Sequence, residues 1–379
     1  MVKLFLSFGV KYMVQTIQNK RILVAGAGPV GLTAAVELKR RGFAPRIIDP
    51  DLSVSTESRA LAVNTRTLEL MEPSGVTDRM LDAGNRVKKV VFRRNEKILA
   101  EIDLTKIPHR YNFMLVLAQS KTEEILIQKL SEMGVEVEKN TALQSFTTGA
   151  AIECELTGAK HATTDILIGA DGSHSAVRKT LGLTFEGETD EQIFGLADVE
   201  LDDWPFPTDT AVLTIMDTHL APYLPMAEGF GRFISTKGDC LNNLPRDAKV
   251  KKVVWETDFK LSYRQTQTYQ RGNVILAGDA AHIHSPVGGR GMNLGMEDAC
   301  WLAWLLEQGR EGEYTSLRHS VGADVLKYTH AFTSFAKSRG HLQDIFFRFG
   351  IPIMTKIPAL RHRAFNMLTA LDTPAPPWL

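Results

Sequence analysis

The 379-residue sequence has no surplus of either charge: Lys plus Arg and Asp plus Glu each number 44. A chain whose main partner is nucleic acid needs a basic surplus, at least locally, so that class is disfavoured. Cysteine is scarce. Cys154, Cys240 and Cys300 lie far apart and form neither a metal-ligand spacing nor a disulfide framework, which suits a reducing compartment, and the cytoplasm is the expected location. No apolar run approaches the roughly 18 residues of a membrane span. No nucleophile–base pair is evident. His282 and His284 are two apart and read as loop histidines, so no metal site is expected. The stretch Met1 to Tyr12 has a lysine and a short apolar segment but no small-residue cleavage site. It reads as an extension or a mis-assigned start, with Met13 as the alternative first residue.

What is present is ordinary in bulk and specific in places. A hydrophobic content of 44% and a charged content of 23% describe a globular protein of one large domain or two interleaved ones. The apolar run Arg21–Ala25 enters Gly26-Ala27-Gly28-Pro29-Val30-Gly31. A helical stretch, Leu32–Leu38, follows and ends at Lys39-Arg40-Arg41-Gly42. A second strand, Arg46–Ile48, delivers Asp49 eighteen positions after Gly31. This is the spacing of a dinucleotide-binding βαβ unit. Gly26 permits the tight turn, Gly28 lets backbone approach a pyrophosphate, and Gly31 lets helix and strand pack closely. The helix N-terminus offers free N–H groups to phosphates. Asp49 is placed to accept from an adenosine ribose, and an acid there suits FAD or NAD better than NADP.

Two further junctions repeat this logic. Asp165–Ala170 is a buried-strand pattern that runs into Asp171-Gly172-Ser173, where Asp171 is either a helix-start acid or part of a ligand site. Val274–Ala277 runs into Gly278-Asp279, a loop rich in glycine and proline, and a helix opening near Gly291-Met292-Asn293. Arg59 is a loop charge or a group reaching back to the pyrophosphate, and Gln119 can simply cap the helix from Lys121 to Met133. From Leu183 to Gln267 alternating apolar residues predict antiparallel strands, joined by a hairpin over Arg86–Leu104. Two helices with a break near Gly350-Ile351-Pro352 are predicted in the tail, packed on the cofactor domain or on a second copy in a homodimer.

The stretches GAGPVG with Asp49, DGSHSAVR and GDAAHIHSPVGGRGMNLGMEDA, in that order, resemble those of the class A FAD-dependent aromatic hydroxylases, such as 4-hydroxybenzoate and phenol hydroxylases. The resemblance covers Lys20 to about Leu306. SRALAVNTRTLELM is similar to the family's arginine loop and following helix. The implied fold is α/β, a Rossmann-like FAD-binding domain with an inserted, mainly antiparallel β-sheet substrate domain and C-terminal helices. The expected division is 13–84, 105–182 and 266–330 for FAD, 85–104 and 183–265 for substrate, and 331–379 for the helical tail. Many relatives are longer, with a thioredoxin-like domain for which this chain has no room, and its inserted sheet is compact.

The implied activity is hydroxylation of a phenolic or polycyclic aromatic by FAD, O₂ and NADH or NADPH, through a flavin C4a-hydroperoxide, with the nicotinamide binding transiently. Arg59, Gln119 and Asp171 are carried over as FAD contacts. Asp279 is expected near the ribityl chain or pyrophosphate, Pro286 over the ring's reactive side, and the N–H groups of Gly291, Met292 and Asn293 at the negative edge of the reduced ring. Gly289 and its neighbouring glycines let backbone lie close to that ring. Arg290 either belongs to the helix start or faces the flavin. Met216, Met226 and Phe233 are the expected substrate contacts, and Tyr223 is the hydroxyl that could orient a phenol or act as acid or base. The alternatives are a halogenase or reductase on the same fold, or an FAD-binding protein without turnover.

Overall fold

The computed structural model describes residues 19–53, 60–285, 289–337, 346–350, 353 and 357–379. Two sheets organise these residues. The first has six strands in the spatial order Gln270–Arg271, Val274–Leu276, Ile166–Gly169, Ile22–Ala25, Pro45–Ile48 and Val137–Glu138. All but the first are parallel to their neighbours. Its central strands are buried at every position, as expected of a parallel sheet covered on both faces. Helices α1 (Pro29–Arg40), α2 (Thr65–Met71), α3 (Val76–Ala83), α4 (Gln119–Glu132) and α5 (Ala176–Thr180) belong to this part of the chain. So does α6 (Arg290–Glu307), which packs on α1. An antiparallel meander, Leu143–Thr148, Ile152–Leu156 and Lys160–Thr164, adds Phe146, Cys154 and Leu156 to the same core.

The second sheet has eight strands: His282–Ile283, Lys249–Gln265, Glu186–Asp202, Phe230–Ser235, Leu220–Ala227, Thr210–Ile215, Lys89–Arg94 and Lys97–Asp103. The predicted hairpin is there, but it turns at Asn95 and begins at Lys89. Val87 belongs instead to a small sheet with Ala62–Val63 and Met114–Val116. The sheet is antiparallel except where Thr210–Ile215 runs parallel to Lys89–Arg94. Leu220–Ala227 carries Pro222 and Pro225, which weaken any reading of it as a strand. A register shift between Pro225 and Ala227 accommodates the second proline.

Because side chains alternate along a strand, the register assigns each residue to a face. Val91, Val212, Tyr223 and Phe233 share the outer face with Trp204, Phe206 and Cys240. Val90, Ala211, Leu224 and Met226 share the inner face and meet Leu61, Val87 and Val116 of the first part. Helix α7 (Tyr314–Lys337) lies across the inner face, with Leu326 against Phe194 and Leu261, and Phe335 against Ile215 and Leu220. Helix α8 (Pro358–Thr369) seats Phe365 on Ile102, Leu104 and Ile107. No helix among the described residues is long and apolar enough to cross a membrane.

Candidate active site

The glycines of the first motif do three different jobs. Gly26 has φ 101°, and a Cβ there would sit 2.3 Å from the Ala170 carbonyl oxygen. At Gly31 a Cβ would sit 1.9 Å from the Gly26 oxygen, so only glycine lets α1 start so close to the turn. Gly28 is the N-cap of α1, and a Cβ there would meet nothing within 4 Å. Open space beside an uncapped helix N-terminus fits a pyrophosphate. Helices α2 and α5 make the contrast: Asn64 caps one through the Thr67 N–H and Ser175 caps the other through the Arg178 N–H. Helices α1 and α6 have no side-chain cap and leave their first N–H groups for a ligand.

The third motif is brought to the first by another close approach. A Cβ on Gly278 would lie 2.7 Å from a Val30 methyl, and one on Gly295 would lie 2.5 Å from the same methyl. Asp279 stands exposed at this junction, in a short 3-10 turn after Val274–Leu276. Asp49 is buried, accepting from the Ala27 N–H at 2.5 Å and the Asp51 N–H at 2.9 Å. It therefore also staples the glycine turn to the second strand. Gln119 opens α4 and donates to Glu123 at 2.9 Å. Burial pushes the Glu123 carboxyl above its usual range; the Gln119 bond opposes this, and the nearby Asp49 charge adds to it. A second buried carboxyl, Glu123, thus stands near Asp49.

Other expected residues have different tasks. Both Asp171 oxygens are engaged within their own junction, by the Ser175 hydroxyl at 2.5 Å and the Val177 N–H at 3.1 Å. Its contribution is to fix the turn beside Gly26. Asn293 does not present its side chain to a ligand. It is 1% exposed, donates to the carbonyls of Ala62 at 2.8 Å and Gly289 at 2.5 Å, and accepts from the Asn64 N–H at 3.0 Å. Being the fourth residue of α6, it also has an intrahelical acceptor for its own N–H, so Gly291 and Met292 are the members of the predicted trio whose N–H groups are free. Gly289, the N-cap, has φ 63° and a Cβ there would press on Ala62 at 2.9 Å. Arg59 and Pro286 lie outside the described residues.

The substrate-side expectations divide by face. Met226 is on the inner face against Leu61 and Val116. Tyr223 and Phe233 are corrected: both are on the outer face, 2% and 0% exposed, with rings 4.7 Å apart and both against Trp204. Burial raises the Tyr223 hydroxyl to about 12. It is a core residue with no route to the inner side. Met216 follows Ile215 at the turn toward His219, at the opposite end of its strand from Ala211, which meets Leu61 and Val116 of the first part.

Behind the third motif is a buried polar chain that the sequence reading missed. His282 Nε2 lies 2.6 Å from Asp298; Arg318 donates to Asp298 at 2.6 Å and to Glu297 at 2.7 Å. Its members are at most 2% exposed. Its partners are spread over a short strand and two helices, so spacing along the chain does not reveal it. His284 stacks on His282, and its Nδ1 faces the Ser285 carbonyl at 3.1 Å. Burial, then the neighbouring His282, depress His284 to about 3, so it is neutral. Arg290 neither faces solvent nor caps its helix: it reaches the tail, donating to the Met367 carbonyl at 2.9 Å and to Asp372 at 2.7 Å.

Residues 19–231 and 235–323 match the family described as FAD binding domain. The 6-methylpretetramide 4-monooxygenase of Streptomyces rimosus is 33% identical over 92% of this chain and 68% of its own length. The pentachlorophenol 4-monooxygenase of Sphingobium chlorophenolicum is 30% identical over 84% of this chain, which spans 65% of that relative. The structure of a p-nitrophenol 4-monooxygenase from Pseudomonas putida DLL-E4 superposes with a TM-score of 0.82, covering 92% of this chain and 98% of that one; at 22% identity it speaks for the fold. The match over most of the chain, the N-termini of α1 and α6 without side-chain caps and the glycine cradle agree, and the chain belongs to the FAD-dependent aromatic hydroxylases, the class A flavoprotein monooxygenases.

Proposed function

We propose that this chain uses NADH or NADPH and O₂ to hydroxylate a phenol or a fused-ring phenolic compound lying between the flavin edge and the inner face of the eight-stranded sheet. The observation that carries this reading is the apolar inner face of Val90, Ala211, Leu224 and Met226, which packs with Leu61 and Val116 next to Ala62, the residue that Gly289 at the start of α6 approaches. A flat aromatic ring buries its faces well against such a wall. The named relatives act on pentachlorophenol and on 6-methylpretetramide, which supports an aromatic substrate here.

FAD supplies the redox and oxygen chemistry when bound. The chain's own residues would hold and shield it. Gly26, Gly28 and Gly31 would admit the pyrophosphate at the N-terminus of α1, with Asp49 and Glu123 toward the ribose. Gln119, Arg59 and Asp279 would serve the middle of the cofactor. The N–H groups of Gly291 and Met292 would face developing negative charge on the ring, where oriented donors in a water-poor site act most strongly. Pro286 would cover the ring. The buried, unreactive cysteines support a cytoplasmic setting, and the exposed apolar Phe349, Ile353 and Ile357 support pairing of two copies, which sedimentation would test. The deciding experiment is NAD(P)H oxidation with and without a panel of phenols, with O₂ uptake and product mass. One O₂ consumed per hydroxylated product supports the reading. Flavin-loaded protein whose NAD(P)H oxidation no phenol stimulates refutes it.

A further inference from the structure

The tail of the chain follows α6 along its length. Arg290, the first residue of α6, is 1% exposed and bonds to the Met367 carbonyl and to Asp372. Two turns further on, Glu297 accepts from Thr373 at 3.2 Å. Further still, Trp378 packs against Trp301 and Trp304, with ring centroids 5.1 and 5.0 Å away, and Arg41 lies over its ring. The tail turns toward α6 at Ala370, whose φ of 58° is one that non-glycine residues seldom adopt. Such a conformation persists where its surroundings over-determine it.

Arg290 makes this more than packing. A cation in the first turn of a helix opposes the helix dipole. Buried there, it requires a counter-charge, and Asp372 is the carboxylate that bonds it. Its second terminal nitrogen has no partner among the described residues, so the bonds of the first to Asp372 and to the Met367 carbonyl hold the guanidinium. The C-terminal end of the same turn is fixed by Asn293 on Ala62 and Gly289. Between these two anchors lie the N–H groups of Gly291 and Met292.

We propose that residues 358–379 form a strap that sets the first turn of α6, with Arg290 and Asp372 as its positioning residues, so that tail docking and FAD binding strengthen one another. The proposal rests on the reading that this turn holds the flavin ring. With the strap docked, the turn is ordered before the cofactor arrives. Without it, binding must supply the ordering. Linkage then requires the reverse effect, FAD tightening the tail.

The test uses the full chain, Asp372→Asn, Arg290→Gln and the double variant. Two quantities are read: the dissociation constant for FAD from flavin fluorescence, and amide exchange across residues 358–379 with and without FAD. FAD is expected to slow exchange in the wild-type tail. Asp372→Asn is expected to weaken FAD about tenfold, the loss of one hydrogen bond to a charged group, and to abolish most of that protection. The double variant, having no stranded cation, is expected to bind FAD better than Asp372→Asn alone. Exchange in the wild-type tail that ignores FAD overturns the strap, as does an Asp372→Asn affinity within twofold of wild type. A double variant whose loss equals the sum of the single losses also overturns it. Wild-type protein that binds no FAD defeats the cofactor reading instead, so the two failures are distinct. Exchange in the meander over residues 143–164, which carries no proposed FAD contact, reports whether each variant is folded.

Discussion

Replacing Asn293 with alanine separates an anchoring residue from a flavin contact. The side chain is 1% exposed and makes three hydrogen bonds, all to backbone: to Ala62, to Gly289 and from Asn64. Each net bond is worth about 1 kcal/mol, and a buried group left without its partner costs about 1–3 kcal/mol. Three lost partners with partial relaxation give an expected destabilisation of about 3–5 kcal/mol, a large share of the roughly 5–15 kcal/mol that a domain has. The isosteric Asn293→Asp keeps the acceptor for Asn64 but sets a carboxylate against two carbonyls. It should be no more stable than the alanine variant at neutral pH, and should improve as the carboxyl is protonated. Urea unfolding of FAD-free protein measures the loss, and FAD titration of the same samples measures binding. A stability loss below 1 kcal/mol in Asn293→Ala together with a hundredfold loss of FAD affinity would refute the anchoring role and return the side chain to the ligand.

Three other outcomes are expected. Gly31→Ala puts a methyl 1.9 Å from the Gly26 oxygen, so the turn must open; the variant should purify without flavin and bind added FAD at least a hundredfold more weakly. Tyr223→Phe should turn over within about threefold of wild type, because the ring is core; Tyr223→Ala should lose about 3–5 kcal/mol of stability, and a catalytic hydroxyl would show the opposite pattern. His284 is depressed to about 3 by burial and by His282, while Asp298 nearby favours its protonation and Arg290 opposes it. An unfolded histidine, near 6.5, takes up a proton first. Its contribution is therefore complete above pH 6.5 and falls by up to about 1.4 kcal/mol per pH unit toward pH 3. His284→Phe should flatten that acid limb, and an unchanged limb in acid-unfolding curves would count against the assignment.

Local sequence was enough where the chemistry is local. Gly26, Gly28 and Gly31 are needed by a turn and a helix start within six residues, and their backbone demands are written in the residue types. The arrival of Asp49 at the end of the second strand follows from βαβ spacing for the same reason. The inner and outer faces of the substrate sheet were not legible. Tyr223 and Met226 are three residues apart, so alternation along one strand puts them on opposite sides; which side meets the cofactor domain is decided by packing, with Met226 against Leu61 and Val116. Prolines also hid the strand itself.

The sequence by itself determined the cofactor fold, because glycine, strand and acid are read along one short stretch of chain. Tertiary structure decided which polar groups are spare and which are taken. Asp171 and Asn293 look like ligands until their partners, up to 231 positions away in the chain, are seen to occupy them. Arg290 is the reverse case, a residue of open role whose buried pairing with Asp372 depends on a tail folded back along α6. Hydrogen-bond satisfaction is a property of three-dimensional neighbours, and spacing in one dimension does not contain it.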